Sequence, residues 1–347
     1  MVVALAACGG GGDNNGAGAG NPPAPAPVPA PTPAPAPTPS PLPVPAPVPT
    51  PIASTAGYAV GTVSFQDADR FAELNRQGQL GYSLLRKLQI NSRGVMVDAF
   101  VLEKDSSQAD ARYQYRGGPR TLAEMTLSVV NEQGAAGFAY KGVSRYVVAN
   151  PADQFGWIFA KDLSKNETYV YETRPSGSPI AKAALVDQLN AQGARGFRYL
   201  GIYGFGASPG ARMYGKLAGS SVTYAYTVDN GDFVDIADMS QRLNAQGARG
   251  MLYKGLFAVD DLQTFVQVYE KSSAQVGPVE YRVEPTRETP PSLFNPTGFV
   301  FTDAAQANDL GALGYFYLPK ASNSKTFGKV FAKNADKTGS ALVLPDD

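Results

Sequence analysis

One short phrase of sequence occurs five times along the chain, and it limits the possible folds more than any other feature. It contains an asparagine, a glycine three positions later, a second glycine after three more, and then an aromatic residue or methionine. Its clearest copies are Leu189–Phe197 and Leu243–Met251. The asparagines are Asn75, Asn131, Asn190, Asn244 and Asn308, spaced 56, 59, 54 and 64 residues apart. Such a period is typical of an array built from one supersecondary unit.

Each copy of the phrase marks the end of a predicted helix. The pattern is clearest over residues 180–192, where Ala181, Leu185 and Leu189 share one face. The first glycine is predicted to end the helix at the C′ position, in the left-handed conformation that glycine adopts without strain. These predicted helix caps are Gly78, Gly134, Gly193, Gly247 and Gly311. The second glycine is predicted to let two stretches of backbone approach closely.

Two strands follow each phrase, and a tyrosine-bearing strand precedes the next helix. Met213–Leu217 and the alternating Tyr224 and Tyr226 show the pattern. We therefore predict an α+β fold: a tandem array of five βαββ repeats, each a small antiparallel sheet covered by one helix. The units could form an open row or a pentein-like ring. The predicted repeats span 54–105, 106–162, 163–219, 220–275 and 276–347.

The order of elements, with a helix ending in L-N-x-x-G-x-x-G-aromatic, resembles a family of small bacterial modules known only as a domain of unknown function. The resemblance covers residues 55–335 as five tandem copies. It departs from the family after the second glycine, where the usual tryptophan is replaced by Tyr82, Phe138, Phe197, Met251 or Tyr315. That family has no assigned activity, so the resemblance implies a fold and no mechanism.

The first residues resemble a bacterial lipoprotein signal. Leu5-Ala6-Ala7-Cys8 matches a lipobox, in which the cysteine becomes the lipidated N-terminus. Only seven residues precede Cys8 and none is basic, so we expect residues 1–8 to be a truncated signal with the true start codon upstream. In Gram-negative lipoproteins an aspartate directly after the cysteine favours retention in the inner membrane. Gly9 stands there, which implies an outer-membrane location.

Residues 9–53 form a predicted disordered linker, first rich in Gly and Asn and then in Pro and Ala. From Pro23 to Pro51 proline occupies nearly every second position, which favours extended polyproline II. About 30 such residues reach roughly 90 Å. We interpret the tract as a spacer between membrane and folded body; a ligand for proline-binding grooves is the alternative.

Composition excludes several classes of function. The 347 residues include no histidine and one cysteine, which excludes Ser-His-Asp triads, Cys-His dyads and an intrachain disulfide. Because 30 basic and 30 acidic side chains cancel, no nucleic-acid partner is expected. No metal or cofactor is predicted. The acidic pairs Asp67/Asp69, Asp235/Asp238 and Asp260/Asp261 are interpreted mainly as helix caps and dipole partners.

These exclusions favour a non-catalytic binding or scaffolding module of the cell envelope. The alternative is a glycan-processing enzyme of the envelope that uses carboxylates. The membrane is a partner through the lipid anchor, and an envelope glycan or another envelope protein is the candidate ligand. Candidate contacts on a repeat surface are the five asparagines of the phrase together with Arg195 and Arg249. A structural role for the asparagines, between a helix end and the neighbouring strand, is the competing interpretation.

Overall fold

A computed structural model describes the folded body of the protein. The described residues are 54–63, 67–92, 95–118, 124–145, 155–176, 180–203, 210–259, 264–285, 305–318 and 328–342. All of them belong to one compact unit, Ile52–Asp347. The predicted lipobox and the proline tract lie outside the described residues.

The elements repeat one order five times: a strand, a helix and two further strands. Unit 1 has β1 Ala56–Val63, α1 Asp67–Gln79, β2 Ser83–Ser92 and β3 Val95–Asp105. Unit 2 has β4 Tyr113–Gly117, α2 Leu127–Ala135, β5 Ala139–Arg145 and β6 Phe155–Asp162. Unit 3 has β7 Tyr169–Pro175, α3 Lys182–Ala194, β8 Arg198–Tyr203 and β9 Ala211–Leu217. Unit 4 has β10 Tyr224–Asn230, α4 Ile236–Gly247, β11 Leu252–Val259 and β12 Thr264–Ser272. Unit 5 has β13 Glu280–Pro285, α5 305–312, β14 Phe316–Tyr317 and β15 Gly328–Lys333.

Each unit forms its own three-stranded antiparallel sheet, with its last strand in the middle. In unit 3, β9 pairs with β7 on one side and with β8 on the other. Residues along β9 alternate between two buried layers, because Tyr214 packs against Tyr199 while Met213 belongs to a different cluster. The predicted α+β array of five βαββ units is therefore confirmed. The five sheets are separate and do not form a closed barrel.

Helices join neighbouring units. Each helix packs mainly on the first strand of the following unit, so α1 lies on β4, α2 on β7, α3 on β10 and α4 on β13. The same junction is made between α5 and β1, where Asn308 of the last helix hydrogen-bonds the backbone of Tyr58. The chain of contacts thus returns to its beginning. The units form a closed ring, which decides between the two predicted arrangements.

The asparagine of the phrase holds each junction. In unit 3, Asn190 Oδ1 accepts a hydrogen bond from Tyr226 N at 2.8 Å, and its Nδ2 donates to Tyr226 O at 3.1 Å. The amide thereby offers one donor and one acceptor to the strand, as a neighbouring strand would. The tyrosine hydroxyl accepts from Tyr199 N at 2.9 Å. The other four asparagine–tyrosine pairs are Asn75–Tyr115, Asn131–Tyr171, Asn244–Tyr281 and Asn308–Tyr58.

The first glycine of the phrase does not have the predicted role, whereas the second makes the predicted close approach, since a Cβ at Gly196 would lie 2.8 Å from the Val222 carbonyl oxygen. Gly193 lies inside the last turn of α3, and the left-handed residue is Gly196, at φ 83°. Gly196 N donates to Gly193 O at 2.9 Å and Phe197 N to Gln192 O at 3.0 Å, which is a Schellman motif. The prediction that the first glycine ends the helix in a left-handed conformation is therefore wrong. That prediction covered Gly78, Gly134, Gly193, Gly247 and Gly311, whereas positive φ is found at Gly81, Gly137, Gly196, Gly250 and Gly314.

Close packing explains the first glycine instead. A Cβ atom at Gly193 would lie well within 3.0 Å of the Tyr224 carbonyl oxygen on β10, a separation that real Cβ atoms essentially never show. The other first glycines meet equivalent carbonyls, and Gly311 of α5 meets that of Ala56 on β1. The first glycine thus lets each helix lie directly on the next unit.

Candidate functional site at the centre of the ring

The middle strands of the five units can be aligned through their pairing with the first strands. Each middle strand carries a lysine at the same aligned position. In unit 3 this residue is Lys216, whose Nζ donates to the Arg195 carbonyl at 2.8 Å and lies 5.9 Å from the centre of the Phe197 ring. This lysine therefore caps the helix end. The aligned lysines are Lys104, Lys161, Lys216, Lys271 and Lys333.

The residue before that lysine differs between units. It is small in three of them and a glutamate in the other two, in the order Glu103, Ala160, Gly215, Glu270 and Ala332. The second strands also carry a charged residue in some units only. Those of units 1 to 4 have a β-bulge near the start, and the residue in the bulge is Lys141 or Lys254 in units 2 and 4 but Leu85 or Leu200 in units 1 and 3. Arg198 likewise aligns with alanine in unit 2 and leucine in unit 4.

The side chains that are charged in some units only lie where the five units converge. Residues 334–342, here called the tail segment, locate this place because they contact every unit. Lys141 Nζ donates to Ala341 O at 2.7 Å, Arg198 to Gly339 O at 3.4 Å, and Gln275 Nε2 to Asn334 O at 2.9 Å. These donors belong to units 2, 3 and 4.

Lys337 completes the set with units 1 and 5. Its ammonium donates to Asp105 and to Ser54 Oγ, and it lies 3.1 Å from the centre of the Phe316 ring. Because one nine-residue segment touches all five units, it lies across the centre of the ring. The tail segment and the charged groups beneath it form the candidate site.

Glu270 is the acceptor of one charged cluster. Arg198 Nε and the second guanidinium nitrogen lie 2.8 and 2.7 Å from its Oε1, Tyr226 Oη donates to its Oε2 at 2.9 Å, and Lys254 Nζ lies 3.6 Å away. Arg198 and Glu270 are 3% and 2% exposed, so the pair is fully buried. Burial opposes ionisation of Glu270, but the charges of Arg198 and Lys254 outweigh it and hold its pKa below the usual value.

Glu103 is the acceptor of the second cluster. Tyr58 Oη donates to its Oε2 at 2.9 Å, and the charges of Lys337, Asp105 and Lys141 act on it. Burial raises the pKa of Glu103 to about 7, against the hydrogen bond from Tyr58 and the charge of Lys337. Burial also lowers the pKa of Lys141 to about 8, opposed by Glu103. The two clusters therefore differ: Glu270 is firmly ionised, and Glu103 titrates near neutral pH.

The free energy of unfolding should depend on pH through the titration of Glu103. The folded state holds a proton on Glu103 up to about pH 7, whereas the unfolded chain releases it near the usual value of 4.5. Folding therefore gains stability that is complete below pH 4.5 and is lost as the pH rises through 7. Against a Glu103→Gln control, we expect the free energy of unfolding to fall by up to about 3 kcal/mol between pH 4.5 and 7.5. Urea denaturation at both pH values measures this; parallel changes in the two proteins would contradict it.

The residues predicted to form a binding surface have internal partners. The five asparagine amides hold the junctions between units. Arg195 is exposed, but its guanidinium donates to Glu172 at 2.8 and 2.6 Å. Arg249 is also exposed and donates to Gln246 Oε1 at 3.1 Å. The structure does not bring Arg195, Arg249 and the asparagine amides together in one pocket among the described residues.

Sequence reasoning missed the charged residues of the candidate site. It examined neighbouring acidic pairs, of which Asp235 caps α4 by accepting from Asp238 N at 2.8 Å. Asp260 and Asp261 lie outside the described residues. The missed signal was a difference between repeats: the residue before the shared lysine is Ala or Gly in three units and Glu103 or Glu270 in two. A residue that the fold requires recurs in every repeat, so a residue that differs in one or two repeats indicates a role specific to those units.

The site is closed in this structure. A crevice of about 10 Å³ remains between Arg198, Glu270 and Thr338, the room that about one water molecule needs. Among the described residues, no group of three acidic or cysteine side chains could hold a metal ion. In the same part of the chain, no helix has the length and apolar character needed to cross a membrane.

The fold and site define a ring-forming repeat protein with its own peptide segment at the centre. Residues 37–332 match the family of PT dipeptide repeat lipoproteins. The chain belongs to this family, which indicates a lipid-anchored protein of the cell envelope. No curated protein matches the sequence, and no solved structure matches it. The domain-of-unknown-function hallmark is not confirmed by these comparisons.

Proposed function

We propose that this protein is an outer-membrane lipoprotein, acylated at Cys8, that presents a non-catalytic binding or scaffolding ring on a proline-rich spacer. One observation carries the proposal: the charged groups at the ring centre hold a peptide segment instead of lining an open cleft. Arg198 and Lys141 both donate to backbone carbonyls of that segment. Membership in a lipoprotein family supports the anchor. A diacylated cysteine would supply the two chains that stable attachment needs.

A carboxylate enzyme is the second candidate, because Glu103 and Glu270 occupy equivalent positions in the middle strands of two units. Glycoside hydrolysis uses such a pair, one group acidic and one ionised. Against it, Glu270 is neutralised by Arg198 and Lys254, and both carboxylates accept from a tyrosine of the fold.

Residues 54–347 incubated with peptidoglycan or lipopolysaccharide distinguish the two functions. The binding function predicts saturable retention of the protein without release of reducing ends. The matched control is a Glu103→Gln variant. Reducing ends released by the native body and lost in that variant would overturn the non-catalytic function.

Replacement of the proposed lipidated residue should detach the protein. In the native host, Cys8→Ser should abolish labelling with radioactive palmitate and move the protein into the soluble fraction, because no acyl chain would remain. A Gly9→Asp variant is the matched control: it should keep its label and shift to the inner membrane on a density gradient. Palmitate labelling that persists in Cys8→Ser would disprove this anchor.

A further inference from the structure

We propose that the centre of the ring is a peptide-binding site, occupied here by the protein's own residues 334–342, and that it takes a peptide with a lysine and, five residues later, a leucine-sized side chain. This inference deepens the proposed binding function and rests on it. The ligand class follows from the contacts that hold the tail segment.

Most of these contacts are made to the backbone of the segment. Lys141, Arg198 and Gln275 donate to the carbonyls of residues 341, 339 and 334. Gln275 Oε1 also accepts from Asp336 N at 2.6 Å. Backbone contacts of this kind fix the path of a peptide without requiring its sequence, as in other modes of peptide recognition. The ring therefore provides donors and acceptors that can hold the backbone of a peptide along a fixed path.

Two side chains of the segment supply selectivity. The ammonium of Lys337 meets Asp105, Ser54 and the face of Phe316. An acidic group and an aromatic face together favour a cation over an apolar side chain. The charge of Glu103 also acts on Lys337.

Leu342 is the second anchor. It is 1% exposed, and it lies against Gly215, the glycine that unit 3 has where other units carry Ala or Glu. A Cβ at Gly215 would come within 3.0 Å of both Leu200 and Leu342, so the missing side chain makes the pocket. The residue that departs from the repeat pattern thus fits the second anchor.

The rest of the segment sits on the ring and not in its core. Asn334 is exposed, residues 335–341 are half-buried, and only Leu342 is buried. One turn of 3-10 helix, Ser340–Leu342, is the regular structure recorded in the segment. A chain held by its backbone, with two anchors and one solvent-facing side, has the features of a bound ligand. A peptide of similar chemistry from another chain can therefore replace it.

The test uses a fluorescent peptide that spans residues 334–342 and is blocked at both ends. Three receptors are compared by fluorescence anisotropy: the full chain, the full chain with Lys337→Ala, and the chain ended after Lys333. The tethered segment competes at an effective concentration near millimolar. We expect Lys337→Ala and the shortened chain to bind the peptide at least tenfold more tightly than the native chain.

Matched changes locate the binding. A peptide with Lys337→Ala should bind at least tenfold more weakly, and Asp105→Asn in the Lys337→Ala receptor should give a similar loss. Circular dichroism checks that each receptor is folded, and if the shortened chain is not, the full-length Lys337→Ala protein decides. No binding to folded Lys337→Ala at 1 mM peptide would overturn the inference, as would equal binding of both peptides. Release of reducing ends from glycan would count against the non-catalytic function alone, since peptide binding is measured separately.

Discussion

Replacing Gly193 with alanine is expected to lower the free energy of unfolding by about 3 kcal/mol. The added methyl group would overlap the Tyr224 carbonyl on β10, and a backbone carbonyl cannot move aside as a side chain does. The helix would have to lift from the next unit, which would also strain the two hydrogen bonds between Asn190 and Tyr226. Urea denaturation followed by circular dichroism measures the loss.

The matched control is Gly57→Ala in β1. A Cβ at Gly57 would meet nothing within 4 Å, and its φ is not positive, so alanine there should change the stability by no more than about 0.5 kcal/mol. If Gly193→Ala were as mild as this control, close packing would not explain the first glycine.

Glu270→Ala should have the second large effect, a loss of about 3–5 kcal/mol. The substitution leaves the buried Arg198 and its neighbour Lys254 without their counter-ion. Arg198→Leu should cost less, because Glu270 keeps Lys254 and the hydrogen bond from Tyr226. The order of the two losses is therefore part of the prediction.

A triple variant separates charge from packing. Arg198→Leu, Lys254→Leu and Glu270→Ala together install side chains that other units carry at these positions. We expect this variant to recover most of the stability that Glu270→Ala loses, because buried ion pairs can be replaced by apolar groups at little cost. A triple variant as unstable as Glu270→Ala would mean that the cluster stabilises the ring by more than charge pairing. All variants are compared by urea denaturation at pH 7.

The repeat phrase was sufficient to predict the architecture. A recurring pattern reports what every unit needs, and each unit needs a helix end, a close contact and a following strand. The strand predicted at Met213–Leu217 is β9, which begins two residues earlier and ends at the same residue. The sequence did not decide between an open row and a closed ring, because closure depends on the contact of α5 with β1, between residues 250 positions apart.

Two features could not be predicted from the sequence, for physical reasons. The two glycines of the phrase are both invariant within the chain, and spacing alone does not say which one has positive φ. Only the packing of α3 on β10 assigns Gly193 to the close contact and Gly196 to the helix end. The charged cluster was missed because its members, such as Arg198 and Glu270, lie in different units and meet only in the folded ring.

Gly311→Ala provides the most direct test of the closed ring. In the ring, a Cβ at Gly311 overlaps the Ala56 carbonyl as one at Gly193 overlaps that of Tyr224. Equilibrium unfolding in urea should therefore give both variants losses of similar size, about 3 kcal/mol. A stability within about 0.5 kcal/mol of the native protein would show that no strand faces α5 and that the units form an open row.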